Sequence, residues 1–530
     1  MKKWNTYNFQ LSQESYDAII IGSGIGGLCS AALLSMKGKK VLVLEKHFKI
    51  GGWTHTFRRN NYEWDVGIHY IGKVHKPDNP IRKLFDLISD GKLEWCKMNK
   101  NYDRIIFPDK YYNFVAPKSQ FVDDMISYFP KEEYAIIKYM KLLDETVKSS
   151  RNYFINKAMP RFAGSISYQL MNRKFFKYSD RTTLDVLSSL TNNKKLIGVL
   201  TGQWGDYGLP PGQSSFAMHA LVAHHYLDGG NYPRGTSRKI AETISDFIEK
   251  NGGKLAINAG VKKIKTHKNK AVAVIMENGD VIESKKIISS IGVVNTLKNL
   301  LNNDSHLTFD TKSDLDGVQQ TKSYVCLHLG LNSSAKDLGL ENTNLWVYKD
   351  YDHDKSVQSY LNDKEEKFPV VYISFPSAKD DTWDKIHPNS ATMEVITLSK
   401  WSWYQNWEKL KWRKRGADYE YEKEKISKKI MDIVFNHVEG IENAIDYQEL
   451  STPLTVKDLA NYQKGEMYGI NHSPKRFRQD WLKPQSKVKN LYFTGQDVTT
   501  VGVSSALFSG LLTASVVLKE NLSNLIKKQP

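Results

Sequence analysis

Residues 17–45 constrain the fold more than any other stretch. Asp17-Ala-Ile-Ile-Ile-Gly22 is a short apolar run of the kind buried in a parallel sheet. It leads straight into Gly22-Ser23-Gly24-Ile-Gly26-Gly27, so Gly22, Gly24 and Gly27 fall into a G-x-G-x-x-G pattern. Residues 28–36 read as an apolar helix, and Lys40-Val-Leu-Val-Leu-Glu45 as a second strand ending on an acid. Each part has a physical task. Gly22 permits the tight turn, Gly24 lets a pyrophosphate approach the backbone, and Gly27 lets the helix pack on the strand. The helix N-terminus offers unpaired N–H groups and the positive end of a dipole. Glu45 stands where an acid accepts hydrogen bonds from a ribose diol. Strand, glycines, helix, strand and acid in this order predict a dinucleotide-binding βαβ unit.

The acid disfavours a 2′-phosphate and leaves FAD and NAD both open. Later stretches narrow the choice. Lys49-Ile-Gly51-Gly52-Trp53-Thr54 places a second glycine pair just after Glu45, and Trp64-Asp65-Val-Gly67-Ile68-His69-Tyr70 follows. Downstream come Tyr207-Gly-Leu-Pro-Pro-Gly-Gln-Ser-Ser-Phe-Ala-Met-His219, then His224-His-Tyr226-Leu-Asp-Gly-Gly-Asn-Tyr-Pro-Arg-Gly235. Asn490-Leu-Tyr-Phe-Thr-Gly495-Gln-Asp497 and Gly502-Val503-Ser504-Ser-Ala506 close the set. With these blocks the chain resembles the FAD-dependent family of amine oxidases, phytoene desaturases, carotenoid isomerases and retinol saturases. Within it the retinol saturase and carotenoid isomerase–desaturase branch is the nearest in pattern, over nearly the whole chain.

The resemblance implies an α/β fold. A Rossmann-like FAD-binding domain of the glutathione-reductase, amine-oxidase type would be interleaved with an α+β substrate domain containing a mixed sheet. The FAD-binding pieces would be 14–75, 229–297 and 486–524, and the substrate domain 76–228 and 298–485. It further implies FAD contacts at Gly22, Ser23, Gly24, Gly26, Gly27, Glu45, Lys46, Gly51, Gly52, Trp53, Thr54, Gly67, Ile68, His69, Val261, Ser290, Gly495, Asp497, Gly502, Val503 and Ser504. Asp497 matches the aspartate that meets the pyrophosphate and ribityl groups, and Val261 the strand residue whose backbone recognises adenine. The helix after Gly502 would point its N-terminus at the pyrimidine edge of the flavin, where negative charge gathers on reduction. No second G-x-G-x-x-G is evident, so a separate NAD(P)H domain is not expected, and an external electron donor of that kind stays open.

Between the nucleotide-binding pieces, residues 323–329, 369–375 and 392–397 read as strands, and residues 419–438 as a charged amphipathic helix. Lys+Arg is 75 against Asp+Glu 58, a net charge of +17. That excess suits an anionic partner such as a membrane surface, or reflects a Lys-rich composition bias. Part of it sits at 151–181, where Arg151, Lys157, Arg161, Arg173, Lys174, Lys177 and Arg181 meet one acid, Asp180. Phe154, Ile155, Phe162, Ile166, Leu170, Phe175 and Phe176 are interleaved. Basic and aromatic residues together seat in a headgroup interface, and a packed helix with a solvated basic face is the plainer alternative. Nucleic acid is not expected. Cys29, Cys96 and Cys326 are too few and scattered for a disulfide framework or a zinc site, and no metal is expected. The first residues, MKKWNTYNFQ, contain no apolar h-region, and no run of about 18 apolar residues appears. The expected location is cytoplasmic, at the inner face of a membrane. Nothing in the sequence speaks to oligomeric state.

The chemistry expected from the resemblance is hydride transfer at carbon, carried by the flavin. A saturase adds hydride to one end of a conjugated double bond and a proton to the other. A desaturase runs the reverse, and an isomerase reduces transiently and lets the polyene rotate. The leading expectation is reduction of a lipophilic isoprenoid polyene. Carotenoid isomerisation, phytoene-type desaturation, saturation of a polyunsaturated acyl chain and non-catalytic FAD or lipid binding stand as alternatives. Glu466, Tyr468, His69 and Tyr70 are candidate catalytic residues, with His219 and Tyr226 as further proton donors. Glu466 replaces a small residue of the family pattern, so a carboxyl group with a raised pKa is expected there.

Overall fold

The computed structural model describes residues 2–301, 307 and 315–527, and for 161–163 the backbone alone. The apolar runs of the N-terminus become neighbours in one sheet. Ala18–Ile21 and Val41–Leu44 are four-residue strands buried at every position. They pair in parallel with each other and with Lys254–Ala256, Ile287–Ser289 and Leu491–Phe493. The order is 254–256, 41–44, 18–21, 287–289, 491–493, so this five-stranded sheet collects strands from three separated stretches of chain.

Helix Ile25–Met36 begins at Ile25, earlier than its apolar pattern suggests, because Gly24 already caps it. It is buried all round and packs against Arg238–Lys250 and Val503–Leu518. The approach is close. A Cβ on Gly26 would lie 2.8 Å from the Gly495 nitrogen and 3.0 Å from the Ala506 oxygen. Gly26 therefore lets the first helix touch the C-terminal segment.

A second sheet of seven strands runs in the order 445–451, 323–331, 391–399, 370–374, 344–348, 101–106, 111–115. Its pairs are antiparallel except Asn344–Tyr348 with Asn101–Ile106, so it is mixed. The three predicted strands are found as Ser323–Leu331, Val370–Ser374 and Ala391–Ser399, and the amphipathic helix as Ala417–His437. A separate small sheet has the order 71–72, 230–233, 95–97, with both pairs antiparallel.

The basic stretch 151–181 is not one face. It spans the end of helix Glu133–Ala158 and all of Arg161–Ser179. Phe175 and Phe176 are core residues, and Lys157 is buried with Nζ donating to the Leu482 carbonyl. Ile155, Ile166 and Leu170 are exposed at 47%, 69% and 79%, beside exposed Arg151, Arg173, Lys174 and Lys177. The expectations for the Arg161 and Phe162 side chains lie outside the described residues. Among the described residues, no helix is long and apolar enough to cross a membrane.

Candidate active site: a cavity between glycine loops and an acidic aromatic wall

A cavity of about 370 Å³ lies between the two large sheets. One side is built where strands of the parallel sheet end: Gly24 and Gly26 after 18–21, Ser290 after 287–289, and Gly495 after 491–493. Ligands of open α/β sheets bind at this edge. Trp53, Thr54, Gly67, Ile68, His69, Gly502, Val503 and Ser504 complete that side. Tyr70, Asp206, Tyr226, Tyr324, Trp346, Tyr372 and Tyr468 form much of the other.

Two features suit the glycine side to a flavin dinucleotide. Helix Val503–Leu518 starts after Gly502, whose φ is +97°, and has no side-chain N-cap. Its first residues line the cavity, and the buried Ser504 hydroxyl has no partner among the described residues. These donors match the polar pyrimidine edge of a flavin. The second feature is the brace behind the glycines. Ser23 donates to Glu45 through its N–H at 2.8 Å and its hydroxyl at 2.6 Å, and its hydroxyl accepts from the Gly51 N–H at 2.9 Å. The two glycine loops are thus locked to one another.

Several residues expected at the cofactor lie outside this cavity: Gly22, Ser23, Gly27, Glu45, Lys46, Gly51, Gly52, Val261 and Asp497. Ser23 belongs to the brace just described. Lys46 pairs with Glu277 at 2.8 Å on the surface. The Ala259 N–H donates to the Glu45 carbonyl at 2.8 Å, which puts Val261 near the far end of the parallel sheet. The Asp497 carboxylate accepts from Val293 N–H at 2.8 Å and Ile470 N–H at 2.9 Å, and so holds three loops together. Arg476, which the sequence did not single out, is fully buried. It donates to the carbonyls of Ile470, Gln496, Asp497 and Thr499 at 2.7–3.1 Å and shapes the loop that leads into Val503–Leu518.

The candidate proton donors separate. Tyr468, His69, Tyr70 and Tyr226 are wall residues, and Tyr226 stacks on Tyr70 with ring centres 4.2 Å apart. Glu466 is not. It pairs across a β-bridge with Ser323, and its carboxylate is bound by the Gln320 amide and by the Lys464 N–H at 2.8 Å, behind the wall made by its neighbours Met467 and Tyr468. Burial does raise its pKa, as expected. His219 is also off the wall, held between the Tyr139 hydroxyl at 2.8 Å and the Tyr207 hydroxyl at 3.2 Å.

A buried acidic network went unforeseen. Lys379 donates to the His69 carbonyl at 2.9 Å, Ser374 Oγ at 2.6 Å and Asn344 Oδ1 at 2.5 Å. Asn344 Nδ2 donates to Asp103 Oδ1 at 2.8 Å. Asp103 Oδ2 accepts from Gln203 at 2.8 Å and faces the Tyr70 hydroxyl at 2.9 Å, which lies 3.0 Å from Asp206 Oδ2. Beside this chain, His69 Nδ1 lies 2.9 Å from Glu394 Oε2, and Tyr232 donates to Asp65 at 2.5 Å. Burial, with the charge of Glu394, pushes Asp65 up to about 7. Burial, partly offset by Lys379, pushes Glu394 up to about 8. Burial and the Lys379 charge bring His69 down to about 4. The one local cue was Glu394 itself, an acid in the middle of an apolar strand.

The sequence pattern described as flavin containing amine oxidoreductase matches residues 25–518. The chain belongs to that family. An all-trans-retinol 13,14-reductase of Danio rerio is 33% identical, with 96% of this chain and 87% of that protein covered. A chloroplastic prolycopene isomerase of Daucus carota is 25% identical over 95% of this chain and 81% of its own length. Wild-type putrescine oxidase bound to putrescine has the same fold, with a TM-score of 0.62 at 13% identity, covering 96% of this chain and all 100% of that one. This family member is accordingly an FAD-dependent oxidoreductase, and its α/β architecture with a mixed second sheet is that of the FAD oxidases.

Proposed function

We propose that the chain reduces a double bond of a conjugated, lipophilic isoprenoid such as retinol. The carrying observation is that one cavity joins the glycine edge and the uncapped helix at Gly502 to an apolar aromatic wall that also holds an acid, Asp206. FAD, once bound, supplies or accepts a hydride at carbon. Gly24, Gly26 and the start of Ile25–Met36 would hold its pyrophosphate, Val503 and Ser504 its pyrimidine edge, and Glu45 and Val261 its adenosine end. The residues Tyr324, Trp346, Tyr372 and Tyr468 exclude water and keep the polyene flat, so that hydride and proton reach opposite ends of one bond. The test is anaerobic incubation of reduced holoenzyme with retinoids, carotenoids and polyunsaturated fatty acids, read by mass spectrometry. A gain of two hydrogens on a retinoid is expected. A loss of two, or an isomer of unchanged mass, would move the assignment to desaturase or isomerase. Protein that takes up no FAD would sink every enzymatic reading.

A second reading concerns access, and the one observation favouring it is an adjacency. Phe154 lines the cavity, while Ile155, next in sequence, is exposed with Ile166, Leu170 and four basic side chains. In this reading the patch rests on an anionic lipid surface at the cytoplasmic face of a membrane and the polyene enters beside Phe154. Flotation with phosphatidylserine vesicles is expected, and its loss in an Ile166→Glu/Leu170→Glu variant of unchanged Tm. Equal flotation of variant and parent would overturn it.

A further inference from the structure

We infer that Asp206 is the acid that protonates the substrate carbon, and that Tyr70 is the switch that stabilises it afterwards. The inference rests on the polyene-reductase reading above and adds the proton's source to it. The Tyr70 hydroxyl has one proton, yet lies within hydrogen-bond distance of two carboxyl groups, Asp103 at 2.9 Å and Asp206 at 3.0 Å. It can donate to only one. The other contact needs a proton on the carboxyl. Asp103 already accepts amide N–H groups from Gln203 and Asn344, and Asn344 in turn accepts from the Lys379 ammonium. That surrounding stabilises an anion. Among the described residues, Asp206 has no donor but Tyr70, and the aromatic groups facing it from neighbouring elements, Tyr226, Tyr324, Tyr372 and Tyr468, are neutral. Asp206 is therefore the protonated partner, Tyr70 accepts from it, and Tyr70 donates to Asp103. Burial and the nearby Asp103 charge act in the same direction, holding the Asp206 carboxyl well above the ordinary range.

Asp206 is also placed to act. It lines the cavity and keeps part of its surface open to it, whereas Asp103 is fully buried behind it. In the reduction, FAD, once bound and reduced, would supply a hydride to one carbon of the double bond. The π-electron pair would take the proton from Asp206, whose carboxyl turns about Cβ–Cγ to present it. One C–H bond forms at each end; the π bond, the bond that held the hydride and the O–H bond of Asp206 break, and a carboxylate remains. The Tyr70 hydroxyl then turns from Asp103, which keeps its two amide donors, to the new carboxylate. Water restores the proton after product leaves.

The test uses FAD-loaded protein and two readouts. Infrared difference spectra at neutral pH, wild type minus Asp206→Asn, should show a protonated carboxylic acid C=O band of Asp206 apart from those of Glu394 and Asp65, shifted in D2O and displaced in Tyr70→Phe. In single turnovers with all-trans-retinol in D2O, wild type should place solvent deuterium at the carbon that receives the proton. Asp206→Asn should bind FAD with an unchanged absorption spectrum and reduce retinol at least about a hundredfold more slowly, as loss of a general acid does. Asp206→Glu should recover part of the rate, which separates lost chemistry from lost fold. The infrared measurement needs no substrate. A wild type that reduces no polyene would thus overturn the functional reading alone. A missing band, or an Asp206→Asn protein that reduces retinol at the wild-type rate, would overturn the assignment of Asp206.

Discussion

A methyl group on Gly27 would lie 2.5 Å from the Gly22 carbonyl oxygen and 3.0 Å from Ser290 Oγ. The first neighbour is backbone and cannot yield, so Gly27→Ala forces the first helix off its strand. Overpacking of this kind costs about 1–3 kcal/mol. A fall in Tm and loss of the flavin absorbance from purified protein are expected. Glu394 gives a pH prediction of definite sign. Its folded pKa of about 8 and that of Asp65, about 7, lie above the ordinary carboxylate values, so both stabilise the fold at low pH and lose that contribution as pH rises. His69, brought down to about 4, opposes them only below about 6.5, and Lys379, brought down to about 8, acts only above that. Between pH 6.5 and 8 the contribution of these two acids should therefore fall, by up to about 1.4 kcal/mol per pH unit for each. In urea melts across this window the stability of Glu394→Gln relative to wild type should rise with pH; a difference that does not change with pH would refute it. These residues also mark how far sequence reading reached. Gly22, Gly24 and Gly27 were legible because a βαβ turn is a local event. Asp206 and Tyr70 are 136 positions apart, and their meeting depends on the packing of two units that no spacing encodes. The position of Glu466 behind the wall could not be read for the same reason: its partner Gln320 lies 146 positions away.

At the scale of elements, the helix Val503–Leu518 owes its position to a side chain outside it. Arg476 holds four carbonyl oxygens around the loop that leads into it. Arg476→Met would keep the volume and strip those oxygens of their donor. Hydrogen bonds to charged groups are worth about 1.5–3 kcal/mol each, so a loss of several kcal/mol is expected. FAD affinity should fall with it, since the helix start forms one wall of the cavity; fluorescence titration of apoprotein with FAD checks this. The helix and its glycine start could be read from apolar pattern and punctuation. The buried guanidinium could not, because in sequence Lys475, Arg476 and Arg478 look like one more basic cluster. Lys157 taught the same lesson within 151–181, where a buried ammonium sits among exposed ones.

For the whole molecule, the parallel sheet is assembled from strands near residues 20, 40, 255, 288 and 492. The strands of the seven-stranded sheet are strung between them, so neither half is a continuous piece of chain. Removing FAD should therefore lower the stability of the whole, and calorimetry should show one transition moving down rather than a second appearing. Saturation at a hundred times Kd is worth about 2.7 kcal/mol. Two separate transitions in the apoprotein would show that the halves melt independently.

The last strand of that sheet, Leu491–Phe493, and the helix Val503–Leu518 after it have a consequence for synthesis. About 470 residues separate Gly24 from Gly495, and a ribosome must add all of them before Gly495 and Gly502 emerge. The glycine loop at 22–27 is exposed that much earlier, yet it has no opposing wall until the later segment follows. Flavin capture thus waits for that segment, and until then the nascent chain carries a nucleotide motif without a nucleotide site.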